Sequence, residues 1–402
     1  MLEQLLNLPR IQVDDFRQSK DEILISVSIR YNQHRCPRCG HKFAKVNEIT
    51  EQKVRDLPVF GKTCYLLLRK GRVCCPCSFR GYEDIGFVDQ NQRQTTRFDE
   101  FLFRLCDRMT IMDASELMQV NWKRVHTIDK KTLRKLKLEH GLPPLSVIGV
   151  DEISFEKYHK YFTIIYDLST DEGVLYVSEG RSEESLGEFF SHLTEQQRQS
   201  IRAVCMDMWD PYIKSVTEGL PHAVIIFDRF HIKKHLNGCL DQLRRSIANE
   251  QGLSKQERKA LKHKRWVLLK NQQHHTLKDK RALDELKRIN SPLYEAYLIK
   301  EQFEHFYLCE TEQQGKEFIH NWFEQIPKAI QDFFRPFYNM LKRYLYGVTA
   351  FCCHRYTNAV AEGINNKIKV LKRMAYGYRD KEYFKLKILR KCGYLQAKAP
   401  TF

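Results

Sequence analysis

The order of strand-like and helix-like segments between residues 143 and 231 restricts the fold more than any other feature. Short apolar runs predict three strands, at Val147 to Asp151, Tyr161 to Leu168 and Val174 to Ser178. A helix, a strand, a second helix and a last strand are predicted next, at residues 183–193, at 201–206, from Pro211 onward and at 223–227. This order predicts a mixed sheet with helices on its faces, as in an RNase H-like fold.

Three acidic residues fall where such a sheet places chemistry. Asp151 ends the first strand, Asp207 follows the fourth, and Glu362 is the only acid of a helix predicted from His354 to Arg373. Each acid alone is typical of a helix cap or a surface charge, but three at strand ends and on one later helix favour a metal site. We predict Asp151, Asp207 and Glu362 as catalytic ligands of Mg²⁺. Glu152 is expected on the opposite face of its strand.

The helix that carries Glu362 also has an apolar side and a basic side. Its apolar stripe is predicted at Val360, Ile364, Ile368 and Leu371. The other side carries three residues that we predict to contact DNA: Asn365, Lys369 and Arg373.

The charge of the chain indicates a polyanionic partner. Lys and Arg number 67 against 50 Asp and Glu, a formal net charge of +17. Nucleic acid is the simplest such partner, and a solvated basic surface is the alternative. Apolar runs are too short for a membrane helix, and residues 1–4 do not begin a signal peptide, so we expect no membrane partner and a soluble, intracellular protein.

Thirteen cysteines in such a protein favour metal binding over disulfides. Two pairs with matched spacing predict a structural Zn²⁺ site made of Cys36, Cys39, Cys74 and Cys77. Cys75 could replace Cys74, although the matched spacing favours Cys74. A hairpin of strands at residues 49–55 and 63–69 fits between the pairs, which predicts a zinc ribbon; unrelated buried cysteines are the alternative.

Residues 96–138 have helical periodicity and predict a helix-turn-helix. Asn121 is expected to cap the second helix, after a short connection at residues 119–121. That helix carries the basic residues that we predict to bind DNA: Lys123, Arg124, Lys130 and Lys131. A plain helical bundle with a basic face is the alternative.

Residues 232–346 predict a mostly helical insertion, basic in parts. Trp266 within it could stack on a base, but a core tryptophan is the preferred interpretation.

Several stretches together resemble the bacterial insertion-sequence transposases of the DDE class, specifically the ISL-three family, over nearly the whole chain. They are residues 36–40, 149–152, 206–209, 227–231, 265–271 and 357–379. The resemblance implies a zinc ribbon, a helix-turn-helix and an RNase H-like catalytic domain with the triad Asp151, Asp207 and Glu362. It also implies that Asp228 and His231 belong to the active-site region.

These inferences predict an α/β protein with five segments: a zinc ribbon at 1–92, a helix-turn-helix at 93–142, a catalytic domain at 143–231 and 347–402, and a helical insertion at 232–346. The expected function is cleavage of DNA at the terminal inverted repeats of an insertion sequence, then joining to target DNA. Two Mg²⁺ ions are expected, with Mn²⁺ as a substitute, in a cytoplasmic, nucleoid-associated homo-oligomer on double-stranded DNA. The alternatives are a DNA-binding regulator with a non-catalytic RNase H-like domain and a structure-selective nuclease.

Overall fold

The computed structural model describes residues 2–30, 33–156, 160–170, 172–249 and 254–396 of the chain. The chain divides into two compact units, Met1–Leu138 and Glu139–Phe402.

A five-stranded sheet forms the larger part of the first unit. Its strands lie in the order β1-β2-β6-β5, and β7 pairs with β6. The elements of this sheet and the small hairpin beside it are α1 (Leu2–Leu6), β1 (Ile11–Gln18), β2 (Glu22–Ile29), β3 (His34–Arg35), β4 (Lys42–Phe43), β5 (Glu48–Val59), β6 (Lys62–Cys74) and β7 (Arg80–Tyr82). Alternate residues of β2 are buried, as expected for a strand with one face on a core.

The hairpin predicted between the cysteine pairs is confirmed. Strands β5 and β6 are antiparallel, with Val59 opposite Lys62. Phe60 and Gly61 connect them with φ values of 49° and 77°. Both central residues of a tight two-residue hairpin turn adopt positive φ, which explains the glycine.

Three helices complete the first unit: α2 (Thr96–Cys106), α3 (Ile111–Met118) and α4 (Trp122–His140). Thr110 and Asp113 form a capping box at the start of α3, and Gln119 ends it with a φ of 50°. The predicted cap is confirmed, because the Lys123 amide donates to Asn121 Oδ1 at 2.9 Å. Apolar side chains from all three helices form one small core.

The second unit contains a mixed five-stranded sheet in the order β10-β9-β8-β11-β12. Its strands are β8 (Val147–Glu156), β9 (Lys160–Asp167), β10 (Val174–Glu179), β11 (Ala203–Met206) and β12 (Val224–Phe227). The first three are antiparallel neighbours, and β11 is parallel to both β8 and β12. The predicted strands are therefore confirmed in order and approximate position, except that the first does not end at Asp151 but continues to Glu156. Asp171 lies outside the described residues.

Helices pack on both faces of this sheet. The helices of the unit are α5 (Glu183–Ser191), α6 (Glu195–Ser200), α7 (Asp210–Gly219), α8 (Arg229–Ala248), α9 (Lys255–His263), α10 (Arg265–Leu269), α11 (Leu277–Ile289), α12 (Ser291–Gln302), α13 (Glu312–Glu324), α14 (Lys328–Arg343), α15 (Leu345–His354), α16 (Ala359–Met374) and α17 (Lys381–Cys392). One core joins the sheet to α5, α7 and the helices from α8 to α15. A second core lies between the other face and helices α16 and α17.

The predicted helix from His354 to Arg373 is wrong at its start. His354 ends α15, and Arg355 follows with a φ of 57°, a left-handed conformation that a continuous helix cannot contain. Helix α16 begins only at Ala359. The predicted apolar stripe is also wrong at Val360, which is exposed, whereas Ile364 and Ile368 are buried as expected.

Candidate active site and candidate zinc site

Asp151 lies on β8, where the strand emerges from the apolar core. Its Oδ2 accepts a hydrogen bond from Asn365 Nδ2 at 2.8 Å, and its Oδ1 accepts one from the Glu152 amide at 2.8 Å. Burial raises the pKa of Asp151, with the nearby charge of Asp207 acting in the same direction. The Asp151 carboxylate is therefore held in place by two uncharged N–H donors, and neither of these two hydrogen bonds comes from a cation.

Asp207 directly follows β11, the strand beside β8. The register places Cys205 of β11 opposite Gly149 of β8, so Asp207 and Asp151 occupy corresponding positions at the same sheet edge. Asp207 Oδ2 lies 3.0 Å from His231 Nδ1, and its Oδ1 accepts from the Met208 amide at 2.6 Å.

Asp207 and His231 each stabilise the charged form of the other. Burial acts to raise the pKa of Asp207, but the hydrogen bond and charge of His231 outweigh it, and the pKa lies below its ordinary value. Burial acts to lower the pKa of His231, and the hydrogen bond to Asp207 outweighs that, so the pKa is raised. Both shifts favour an ionised carboxylate next to an imidazolium.

Asp228 and His231 follow β12, the third strand at this edge. Asp228 caps α8, because its Oδ1 accepts from the Phe230 amide at 3.2 Å. Burial raises its pKa, and the charges of Asp151 and Asp207 raise it further. The structure thus places His231 in contact with Asp207, and Asp228 within their electrostatic influence.

Glu362 is exposed in the first turn of α16, and the structure gives it no contact with either aspartate. Its helix is nevertheless anchored on β8, because Asn365, three residues later on the same side, donates to Asp151. Across the described part of the chain, no group of three acidic or histidine side chains brings its ligand atoms within 4.8 Å of one another. Asp151 and Asp207 are therefore close enough to influence each other's charge, whereas Glu362 is linked to them only through its helix.

Asn365 is not on the DNA-facing surface that we predicted for it. The side chain is buried, donates to Asp151 and accepts from the Tyr166 hydroxyl at 2.5 Å. Asn365 directly follows Ile364, which packs in the core between α16 and the sheet, and both side chains lie on the buried side of the helix. Lys369 and Arg373 are exposed farther along the same helix.

Glu152, expected to be a bystander, lies beside a basic residue that sequence reasoning missed. Arg181 Nη1 is 3.5 Å from Glu152 Oε1, and its guanidinium lies 4.1 Å from the ring of Trp209. The Trp209 indole N–H donates to the Arg181 carbonyl at 3.0 Å. Burial raises the pKa of Glu152; Arg181 opposes this, while Asp151 adds to it. The available signal was the position of Arg181, two residues after β10, at the edge where Asp207 follows β11.

The basic residues predicted on α4 differ in their surroundings. Lys123 is exposed, and Lys130 is half-buried. Arg124 is half-buried, and its guanidinium hydrogen-bonds Gln92 and Gln94 within the first unit. Lys131 is exposed and forms an ion pair with Asp89 at 2.9 Å.

The preferred interpretation of Trp266 as a core residue is wrong. It is 71% exposed on α10, with the Arg265 guanidinium 5.0 Å from its ring.

Four thiols converge in the first unit, and one differs from the prediction. They are Cys36, Cys39, Cys75 and Cys77, with all Sγ atoms within 4.8 Å of one another. Cys74 is excluded because it is the last residue of β6, is exposed, and its Sγ accepts from Asn47 Nδ2 at 3.2 Å. The matched spacing of the two pairs was misleading, because successive residues of a strand point in opposite directions.

Thiol spacing in this cluster fits a tetrahedral metal ion. The Sγ atoms of Cys36 and Cys77 are 3.7 Å apart, and those of Cys39 and Cys75 are 3.4 Å apart. Bonds of about 2.3 Å to zinc imply sulfur separations of about 3.8 Å. Burial acts to raise the pKa of Cys36, but backbone hydrogen bonds outweigh it and lower the pKa to about 7, which favours the thiolate that a metal requires.

Comparison with known proteins gives the same arrangement of segments. Residues 148–388 match a family described as "Transposase". Residues 83–132 match the "Helix-turn-helix domain of transposase family ISL3", and residues 32–77 match the "zinc-finger of transposase IS204/IS1001/IS1096/IS1165". The fold, the thiol cluster and these matches define a transposase with a zinc ribbon and a helix-turn-helix.

Curated relatives extend the likeness to most of the chain. The transposase for insertion sequence element IS1001 of Bordetella parapertussis is 32% identical over 88% of this chain and 87% of its own. The transposase for insertion sequence element IS1557 of Mycobacterium tuberculosis (strain CDC 1551 / Oshkosh) is 26% identical over 86% and 83%. The chain belongs to transposase family ISL3. Within the described residues, no helix is long and apolar enough to cross a membrane.

Proposed function

We propose that this transposase cuts the ends of an insertion sequence and joins them to target DNA at a site formed by Asp151, Asp207 and Glu362. The observation that carries the proposal is the placement of Asp151 and Asp207 at corresponding positions on adjoining parallel strands, with His231 against Asp207. The sheet order β10-β9-β8-β11-β12 supports an RNase H-like catalytic domain at residues 143–231 and 347–402, with 232–346 as its helical insertion.

The acids suit Mg²⁺, which prefers carboxylate oxygens and keeps several waters. Burial raises the pKa of Asp151, and the charge of Asp207 adds to the shift; a divalent cation would favour the ionised carboxylate. Asp151, Asp207 and Glu362 would hold the metal, with Mn²⁺ as a substitute. Two such ions, when bound, stabilise the attacking and leaving oxygens of a phosphodiester. Glu362, exposed at the first turn of α16 and three residues before the Asn365 that contacts Asp151, is the proposed third ligand.

The protein groups orient this chemistry. Asn365 fixes the Asp151 carboxylate, and His231 fixes that of Asp207. In the first step water attacks the phosphorus and the bond to the 3′ oxygen breaks, which leaves a 3′-hydroxyl on the element and a 5′-phosphate on the flanking DNA. In the second step that 3′-hydroxyl attacks a target phosphodiester, forms a new phosphodiester and releases the 3′-hydroxyl of the target. Each step breaks one phosphorus–oxygen bond and forms another. No covalent link between DNA and protein is therefore needed.

The first unit would recognise the DNA. We propose that Cys36, Cys39, Cys75 and Cys77 hold one structural Zn²⁺ in the ribbon at residues 1–92 and that the helix-turn-helix at 93–142 reads the terminal repeat. Lys123, Lys130 and Lys131 are the proposed DNA contacts on α4, with Lys369 and Arg373 on α16. Joining two ends requires at least two active sites, which makes a homo-oligomer on DNA the expected assembly.

The test is cleavage of duplex DNA carrying the element end, taken from the sequence that flanks the gene. Asp151→Asn, Asp207→Asn and Glu362→Gln should each lower the cleavage rate by at least about a thousandfold, because a lost metal ligand removes several kcal/mol of transition-state stabilisation. Binding of the same DNA should persist. Asp332→Asn, an exposed acid on α14, is the control and should cleave normally.

A variant of the triad that still cleaves at the normal rate would remove that residue from the site. If the wild-type chain binds the end but does not cleave it with Mg²⁺ or Mn²⁺, a DNA-binding regulator becomes the better description.

A further inference from the structure

A cavity of about 540 Å³ lies between the end of β8, the C-terminal half of α16 and the start of α17. Its size is within the range of small-molecule sites in proteins. The residues that line it are Ile153, Ser154, Phe155, Ile368, Lys369, Lys372, Arg373, Tyr376, Gly377 and Phe384. The acids and the zinc cluster described above do not contribute to this lining.

The floor of the cavity is aromatic and rigid. Phe155 stacks on Phe162 with ring centroids 4.0 Å apart and an interplanar angle of 10°. Phe384 stacks on Tyr378 at 4.5 Å. Phe155 and Phe384 are buried, and Phe384 is tilted by 44° to the Phe162 ring, so the two rings line the cavity at an angle to each other.

Tyr376 stands at the rim, fully exposed. It has a φ of 52° in the turn that ends α16, followed by Gly377 with a φ of 104°. A tyrosine gains little by facing water in a left-handed conformation, since neither its ring nor its backbone is favoured there. Its ring is free to stack on a planar ligand.

The rim is also positively charged. Lys369, Lys372 and Arg373 line the cavity, and its lining contains no acid. Glu156, the nearby acid on β8, forms an ion pair with Lys160 at 2.6 Å, and the hydrogen bond from Lys160 lowers its pKa. Lys372 also lies within the electrostatic range of Glu156 and helps to lower that pKa. The combination of aromatic rings and three cations matches a base with its flanking phosphates.

We propose that this cavity binds an unpaired nucleotide of the DNA on which the protein acts, with the base against Tyr376 and the aromatic floor and the phosphates against the three cations. The cavity shares β8 with Asp151, and 155 − 151 = 4 residues span about 13 Å at 3.3 Å each. A few nucleotides cover that distance. The proposal rests on the proposed function, because it places the nucleotide next to the site of cleavage.

The experiment uses the full chain and an oligothymidylate of roughly ten nucleotides that carries one 5-iodouracil. Irradiation should cross-link the probe to the peptide that contains Tyr376, identified by mass spectrometry. A blunt duplex of the same length should compete weakly, because its bases are stacked and paired.

Binding by variants separates the cavity from general DNA affinity. Tyr376→Ala should weaken single-strand binding by about fivefold to a hundredfold, the effect of losing one aromatic stack, and Tyr376→Phe should preserve it. Phe60→Ala is the matched control, since Phe60 is also exposed in a turn, with a φ of 49°. Lys372→Gln should reduce the slope of log K against log salt by about 0.7, whereas Lys278→Gln on α11 should not.

Cross-links that map elsewhere, together with unchanged binding by Tyr376→Ala, would overturn the cavity assignment and leave DNA cleavage by the triad intact. Equal competition by the blunt duplex would show that the occupant is not an unpaired nucleotide. Failure of the wild-type chain to bind the oligothymidylate would overturn the cavity assignment, whereas the proposed function is decided separately by cleavage of the element end.

Discussion

Gly149 lies next to the candidate active site, at a position where the structure has no room for a side chain. A Cβ at Gly149 would lie 2.4 Å from Asn358 Oδ1 and 3.1 Å from Leu168 Cδ1. Asn358 uses this space to donate from Nδ2 to the Val150 carbonyl at 3.2 Å. The glycine thus allows the segment before α16 to approach the strand that carries Asp151.

We predict that Gly149→Ala destabilises the second unit by about 1–3 kcal/mol, because overpacking displaces Asn358 and removes its hydrogen bond. Denaturant unfolding followed by tryptophan fluorescence measures the change. Gly238→Ala is the control: it lies in α8 with nothing within 4 Å of its Cβ, and alanine there should stabilise by about 0.5–1 kcal/mol. Equal effects of the two substitutions would contradict the packing argument.

Single residues also mark the limit of sequence reasoning. Asp151 and Asp207 were identifiable because each follows a run of apolar residues. Asn365 and Arg181 were not, because an amide on a helix and an arginine in a loop have many ordinary roles. Only the contacts of Asn365 with Asp151 and of Arg181 with Glu152 distinguish them.

At the scale of elements, the end of β6 decides which cysteine joins the zinc site. Strand pairing with β7 extends through Cys74, which is opposite Arg80. The chain leaves the strand at the next residue, and the Cys75 amide then donates to the Phe79 carbonyl at 2.9 Å in a tight turn. That turn directs Cys75 and Cys77 toward Cys36 and Cys39.

We predict that Cys75→Ser lowers zinc affinity by more than about a hundredfold, because loss of a ligand costs more than loss of a supporting hydrogen bond. Cys74→Ser, its immediate neighbour, should retain one zinc per chain. Zinc content after dialysis and the thermal stability of the first unit measure both effects. Zinc loss in Cys74→Ser with retention in Cys75→Ser would reverse the assignment.

At the scale of the whole molecule, the chain consists of two compact units joined within a few residues of Leu138. Each has its own sheet and its own apolar cores. A unit with its own core is able to fold alone.

We therefore predict that residues 1–138, prepared with zinc, fold independently and bind duplex DNA carrying the element end. Circular dichroism and a gel-shift assay test this, with the metal-chelated fragment as the control. Cleavage should require the second unit. A fragment that folds but has no affinity for the end would assign recognition to residues 139–402.

The sequence by itself determined the hairpin of β5 and β6, the strands of the second sheet, the helix-turn-helix, and the two aspartates that follow apolar runs. Those features depend on local periodicity, turn residues and caps, which act over a few neighbouring positions. Tertiary structure decided the fourth thiol, the start of α16, the burial of Asn365 and the exposure of Trp266. Each of these depends on which distant segment packs against the residue, and that information is absent from its local sequence.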